Sequence, residues 1–333
     1  MKNKSIIPAI IMILSVEILG CSQTSEKNNT MKISDSDKTI KIVVTDSGLG
    51  GLSVAEDIYH KIKDTKIYDK VDIIFANALF DANSGYNRLT DRNEKIRIFN
   101  EALYGIEKNF NPDYIFVACN TLSVLYNKTE FSKNTDAKVI TIVDYGVNLI
   151  DENLRKNNNS NVIIFGTKTT INGNTYGKLL INRKYNKDRI VSQACPELQE
   201  YIEKDPKGEE TFNLISKYVG PAINKLNNPE NDLYASLNCT HYGYSDDLWE
   251  KAFNQHNIKL KGLLNPNSKM AAVLFTNTNK KRHKNTEIKL SVVSKVKLAE
   301  QNINSMSNLF KKTCPELSEA LRNYQLKTDL FRF

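Results

Sequence analysis

The segment "KTIKIVVTDSGLGG", residues 38–51, places the strongest constraint on the fold. A β-branched apolar run ends in Asp, Ser and clustered glycines, and a helix-period stretch, "LSVAEDIYHKIKD", follows at once. A continuous apolar run without alternation marks a strand buried on both faces, as in a parallel sheet. The same order recurs. "KVDIIFAN" reads as a strand, "TDRNEKIRIFNEALYGIEKN" as an amphipathic helix, "PDYIFVACNTLSVLY" as strand, turn and helix, and "AKVITIVDY" as a further strand. "NVIIFGTKTTINGNTYGKLL" and "NDLYASLNCTHYGYSDDLWEKAF" repeat the strand–turn–helix unit. This alternation predicts an α/β protein with mainly parallel sheets flanked by helices. Ligands of such sheets bind at the carboxyl ends of the strands, where each of these polar turns stands.

The turns come in pairs. The interval from Asp46 to Cys119 equals that from Gly166 to Cys239, 73 residues in each case (119 − 46 and 239 − 166). Two units with a glycine-bearing turn first and a cysteine turn later predict two pseudo-symmetric lobes with a site in the cleft between them. Lobe one is expected over residues 39–143 plus 263–333, and lobe two over 144–262. The 333 residues are enough for two ordinary cores.

The first residues belong to neither lobe. "MKNK" is basic, "SIIPAIIMILSVEILG" is apolar, and "ILGC" ends at Cys21. A basic start, a short apolar run and small residues before a cleavage point describe a secretory signal. "ILGC" resembles the lipobox of bacterial lipoproteins, which implies a signal over residues 1–20, a lipid on Cys21 and an extracytoplasmic, membrane-anchored protein. An uncleaved anchor is the other reading, since Glu17 interrupts the apolar run. Residues 21–38 are polar and without periodicity, which suits a flexible tether.

Composition is that of a globular chain, with 40% hydrophobic and 25% charged residues, and the net charge of +8 is dispersed. The one dense basic run, Lys280–Lys284, carries no interleaved aromatics and reads as a solvated loop, so no nucleic-acid partner is expected. Beyond Cys21 the cysteines are Cys119, Cys195, Cys239 and Cys314. Their spacing fits no zinc pattern, and neither a metal nor a disulfide framework is expected.

Chemistry concentrates in "LNCTHYGY", residues 237–244, where Cys239 stands beside Thr240 and His241. Such a thiol is either a buried structural one or a proton-transfer group. His241 is likewise either a satisfied core histidine or a partner of that thiol, and Asp46 either caps the helix after it or serves the site. Cys195 and Cys314 each open a "CPEL" stretch, whose Pro and Glu suit the first turn of a helix, and both read as structural.

Taken together, "TDSGLGGLSV", "ACNTLS" and "NCTHY" resemble the signature turns of glutamate racemase, in the aspartate/glutamate racemase superfamily. "FGTKTTINGNTY" is similar to its threonine turn and "ACPELQEYIE" to its Ala-Cys-Pro segment. "LLNPNSKMA" is similar to a later segment, with Asn265 in place of an acid. The resemblance covers about residues 40 to 325. It implies a cofactor-independent racemase acting on a small amino acid, with Cys119 and Cys239 as the two bases. Asp46 would assist Cys119, and His241 and Glu203 would assist Cys239. Ser47, Asn120, Thr121, Thr170 and Thr240, with Gly85 and Tyr86, would hold the substrate. The resemblance allows a homodimer without requiring one.

The chemical logic stands without the family. Inverting Cα needs a proton removed from one face and returned to the other, so two acid/base groups are required. Thiols suit the task because their pKa is near working pH and is easily tuned. The sequence also departs from the family. Gly85 and Asn87 flank Tyr86 where the pattern has Pro and Gly, and Gly243 stands where it has Pro. These positions touch substrate reading, so aspartate or another amino acid competes with glutamate. A non-catalytic amino-acid-binding lipoprotein on the same scaffold is the reading from a different class.

Overall fold

The computed structural model of the chain describes residues 39–82, 84–275 and 283–333. Cys21, the signal and the tether lie outside those residues, as do Lys280–Arg282 of the basic run. Ten strands are described: β1 (Ile40–Asp46), β2 (Lys70–Asn77), β3 (Tyr114–Val117), β4 (Lys138–Thr141), β5 (Asn161–Gly166), β6 (Ile190–Ala194), β7 (Leu233–Asn238), β8 (Gly262–Leu264), β9 (Glu287–Ser294) and β10 (Gln325–Leu326). They form a six-stranded sheet in the order β10-β9-β2-β1-β3-β4 and a four-stranded sheet in the order β6-β5-β7-β8. Every pairing is parallel.

The inner part of the first sheet, β2-β1-β3-β4, has the same order as the whole second sheet. In both, the first strand of the unit lies beside the third, so Asp46 on β1 and Gly166 on β5 occupy matching ends. Cys119 follows β3 and Cys239 follows β7. The equal 73-residue intervals thus correspond to equivalent crossovers in the two sheets.

Parallel strands covered on both faces bury successive side chains on opposite sides. β5 shows this directly. Ile163 and Phe165 join a cluster with Leu198, Ile202, Val219 and Trp249, while Val162 and Ile164 join another with Val147, Ile150, Leu154 and Tyr234. The first sheet packs Val43, Ile74 and Val117 against Ile98, Phe99, Ala102 and Leu103 of the helix Arg92–Phe110. Asp91 caps that helix, accepting from the Asn93 amide at 2.8 Å.

The structure departs from the expected elements at three places. The strand expected over "AKVITIVDY" stops at Thr141, and Ile142 begins a helix to Leu154. β4 is the edge of its sheet and pairs only with the four-residue β3, so the chain has no partner beyond Thr141. Val143, Val147, Ile150 and Leu154 instead bury at helical spacing against the second sheet. β8 pairs with β7, so Leu263 and Leu264 sit in the second sheet rather than the first. The two "CPEL" stretches also differ. Pro315 opens the helix Pro315–Arg322, but Glu197 holds a left-handed φ of 64° and the helix after Cys195 begins only at Leu198.

Candidate active site

The glycine-rich turn after β1 is dictated by close approach. None of the described glycines has a left-handed φ. A Cβ at Gly50 would instead strike the Thr240 hydroxyl and the His241 ring, and one at Gly48 would lie 2.6 Å from Glu203 Oε1. The turn from the first sheet is therefore pressed against the cysteine turn of the second, and only glycine leaves the space.

Asp46, at the end of β1, is 1% exposed. It does not cap the helix Leu52–Thr65, whose N-cap is Gly51. Its Oδ1 accepts from the Ser47 amide at 2.6 Å and its Oδ2 from the Thr240 hydroxyl at 2.6 Å. Burial raises its pKa, while the His241 charge, Thr240 and the Cys119 thiol oppose the rise. Cys119 is buried, with its sulfur 3.1 Å from Ser47 Oγ. Burial, and then the Asp46 charge, push that thiol well above its ordinary value, so Cys119 rests protonated.

The second thiol has different partners. Cys239 Sγ lies 3.7 Å from His241 Nδ1, and His241 Nε2 lies 2.7 Å from Glu203 Oε1. Burial alone would lower the pKa of His241, but Cys239 and Glu203 together carry it well above its ordinary value. The imidazole is therefore charged, and it is not a passive core residue. Burial works against the Glu203 carboxylate too, but His241, the Leu49 amide at 2.7 Å and the Asn302 amide at 2.8 Å hold its pKa below the usual range.

The hydroxyl-bearing residues form a chain beside the thiols. Thr121 Oγ1 is 2.8 Å from Thr167 Oγ1, which is 3.1 Å from Thr170 Oγ1. Asn120 Oδ1 accepts from the Tyr176 hydroxyl at 2.5 Å, while its Nδ2 is buried without a partner. The Tyr86 hydroxyl is also buried without a partner. Burial and the nearby Cys119 hold that phenol neutral, with its pKa well above the ordinary value. Unsatisfied donors beside Cys119 are groups that a polar ligand can satisfy.

Ser47, Gly85, Tyr86, Glu203 and His241 line one cavity of about 270 Å³. Ser47 and His241 are the immediate partners of Cys119 and Cys239, so a partner of each thiol lines this space. The expected site residues thus come together from both sheets. Cys195 and Cys314 do not line the cavity, and Cys195 packs in the same apolar cluster as Cys239. Both are fully buried and free, and burial pushes the Cys195 thiol well up and that of Cys314 to about 11. Sequence reasoning missed Thr167, Tyr176 and Asn302, which hold Thr121, Asn120 and Glu203. Among the described residues no group of three His, Cys, Asp or Glu side chains could hold a metal ion.

No family model matches the chain. It is 30% identical over 220 residues to the glutamate racemase of a Nitratiruptor species, covering 65% of this chain and 77% of the relative. The chain belongs to the glutamate racemase family. It is 26% identical over 258 residues to the glutamate racemase of Aliarcobacter butzleri, covering 76% of this chain and 90% of that one. In fold it resembles the crystal structure of glutamate racemase from Francisella tularensis subsp. tularensis in complex with D-glutamate. The TM-score is 0.63 at 20% identity, over 88% of this chain and 96% of that one.

A Cβ at Gly243 would strike the side-chain amide of Asn265, so these two positions pack directly against each other.

Proposed function

We propose that the protein interconverts L- and D-glutamate by a cofactor-independent, two-base mechanism. The observation that supports this most is the placing of two thiols at matching ends of two sheets, each with its own charged neighbour and each with a partner on the wall of one cavity. In one direction the Cys239 sulfur, as thiolate beside the His241 imidazolium, takes the Cα proton. Cys119, resting protonated, gives its proton to the opposite face of the carbanion. In the other direction Cys119 passes its proton to Asp46 and abstracts, while Cys239, having taken a proton from the His241 imidazolium, delivers it to the opposite face. The hydroxyls of Ser47, Thr121, Thr170 and Thr240 and the amide of Asn120 hold the substrate's charged groups, and their fixed dipoles stabilise the carbanion.

The basic, apolar N-terminus ending in "ILGC" supports export and a lipid on Cys21, which would put this racemase outside the cytoplasm on a membrane surface. The test of activity is hydrogen exchange. Incubating the protein with L-glutamate in D2O should give deuterium at Cα and the D-enantiomer. A panel including aspartate identifies the substrate if Gly243, Asn265 and the Tyr86 turn have moved the preference. Failure to exchange Cα hydrogen in any amino acid would leave a binding protein.

A further inference from the structure

The glycine turn after β1 and the cysteine turn after β7 are also tied together by two side chains that the mechanism above does not use. Tyr244 stands in the short helical turn Tyr242–Ser245, just past His241. Its hydroxyl donates to the Gly50 carbonyl at 2.9 Å and accepts from the Ser53 amide at 3.0 Å. Burial pushes this phenol well above its ordinary pKa, so the hydroxyl keeps the proton it donates. Asn267 opens the helix Asn267–Ala271 and is buried. Its Nδ2 donates to Ser53 Oγ at 2.8 Å and to the Thr240 carbonyl at 3.1 Å. Ser53 Oγ donates in turn to the Gly50 carbonyl at 3.1 Å. Tyr244, Ser53 and Asn267 all stand off the wall of the cavity that Ser47 and His241 line.

What these contacts hold is specific. The Thr240 carbonyl lies in the chain between Cys239 and His241, and Gly50 belongs to the turn that carries Asp46 and Ser47, the neighbours of Cys119. Asn267 also leaves its own Oδ1 buried without a partner. An unpaired oxygen makes asparagine a costly residue for filling space, and the cost is offset only by what Nδ2 holds. We infer that Tyr244 and Asn267 are positioning residues that keep the turn beside Cys119 in register with the turn of Cys239, so that the base on one face of Cα and the acid on the other are aligned together. This rests on the racemase reading above and adds to it the groups, remote from substrate, that couple abstraction to delivery.

The readout is the ratio of two rates in D2O, measured with the amino acid that the wild type inverts. One is deuterium gained at Cα in recovered starting enantiomer, and the other is inversion. With the turns out of register, the abstracting thiol still removes the proton, but deuterium returns to the face it left. Tyr244→Phe removes one oxygen and keeps the ring. It should lower kcat about tenfold in both directions, the scale of one hydrogen bond, with KM within about twofold of wild type. The ratio of exchange to inversion should rise severalfold. Asn267→Ala should raise the ratio in the same sense, and the double variant should show less than the product of the two, because both side chains act on Ser53 and Gly50. A merely structural role would lower exchange and inversion by one factor and leave the ratio alone. An unchanged ratio in either variant, whatever the loss of rate, overturns the inference while the racemase reading stands. So does a rise in KM at constant kcat. Absence of exchange in the wild type removes the racemase reading first, and this one with it.

Discussion

The Thr240 hydroxyl donates to Asp46 Oδ2 at 2.6 Å, joining the neighbour of one thiol to the carboxylate beside the other. The contact spans 194 residues of sequence and crosses between the ends of the two sheets. Leu49, three residues after Asp46, returns the link by donating its amide to Glu203 at 2.7 Å. Each half of the site is therefore held by a group from the other. Their relative position, on which the proposed two-face reaction depends, is set by hydrogen bonds to the Asp46 and Glu203 carboxylates.

Replacing Thr240 by Val should test that tie. The side chain keeps its shape and loses its hydroxyl, so the buried Asp46 carboxylate loses a donor. The expected cost is about 1–3 kcal/mol in urea unfolding. Turnover should fall in both directions, because the Cys119 partner and the alignment of the two turns both depend on it. Thr240→Ser, which keeps the hydroxyl, should stay near wild type on both measures.

A second outcome concerns pH. Glu203 has a folded pKa below its ordinary 4.5, so its stabilising effect is full above pH 4.5 and is lost as pH falls through the lowered value. His241 has a folded pKa above its ordinary 6.5, so its effect is full below pH 6.5 and is lost as pH rises through the raised value. Both act fully between pH 4.5 and 6.5. Glu203→Gln should therefore be less stable than wild type by about 2 kcal/mol in that window, the scale of a lost charged hydrogen bond. The gap should narrow on either side. Asp46 titrates in both proteins and cancels in the difference. A gap that does not vary with pH would show that the charge of Glu203 contributes nothing.

Much of this was legible in the sequence because buried parallel strands write themselves as unbroken apolar runs, and their carboxyl ends as polar turns. Asp46, Cys119 and Cys239 each stand at such an end. The boundary at Thr141 was not legible, since "ITIV" is apolar whether it extends as strand or turns into helix, and the length of β3 decides it. Asn302 was hidden for another reason. It reaches Glu203 across 99 residues from a C-terminal helix that carries no local signal.

The N-terminal cysteine has its own test. If Cys21 carries lipid, two or more acyl chains should hold the protein on membranes where one would not. Cys21→Ser should move the protein from the membrane fraction to the soluble one and abolish labelling by a fatty-acid probe. Retention on the membrane without label would point to the uncleaved apolar segment instead.

The two thiols give the sharpest expectation. Cys119→Ser and Cys239→Ser should each lower racemisation by about a thousandfold or more. A hydroxyl with a far higher pKa is a poor acid/base at neutral pH, and neither thiol can act across the substrate plane for the other. Both variants should unfold near the wild-type midpoint, because serine is nearly isosteric with cysteine. The asymmetry of the partners predicts a further distinction. Cys119 rests protonated against Asp46, whereas Cys239 shares a charged imidazole with Glu203. One variant should therefore keep Cα–deuterium exchange with a single enantiomer, and the other with its mirror image, each without net inversion. Cys195→Ala and Cys314→Ala remove thiols buried in apolar surroundings away from the cavity. Their stability should fall, but turnover should stay within about threefold, the usual separation of packing from chemistry. Near wild-type racemisation by either the Cys119 or the Cys239 variant, followed by chiral chromatography, would remove the two-base mechanism.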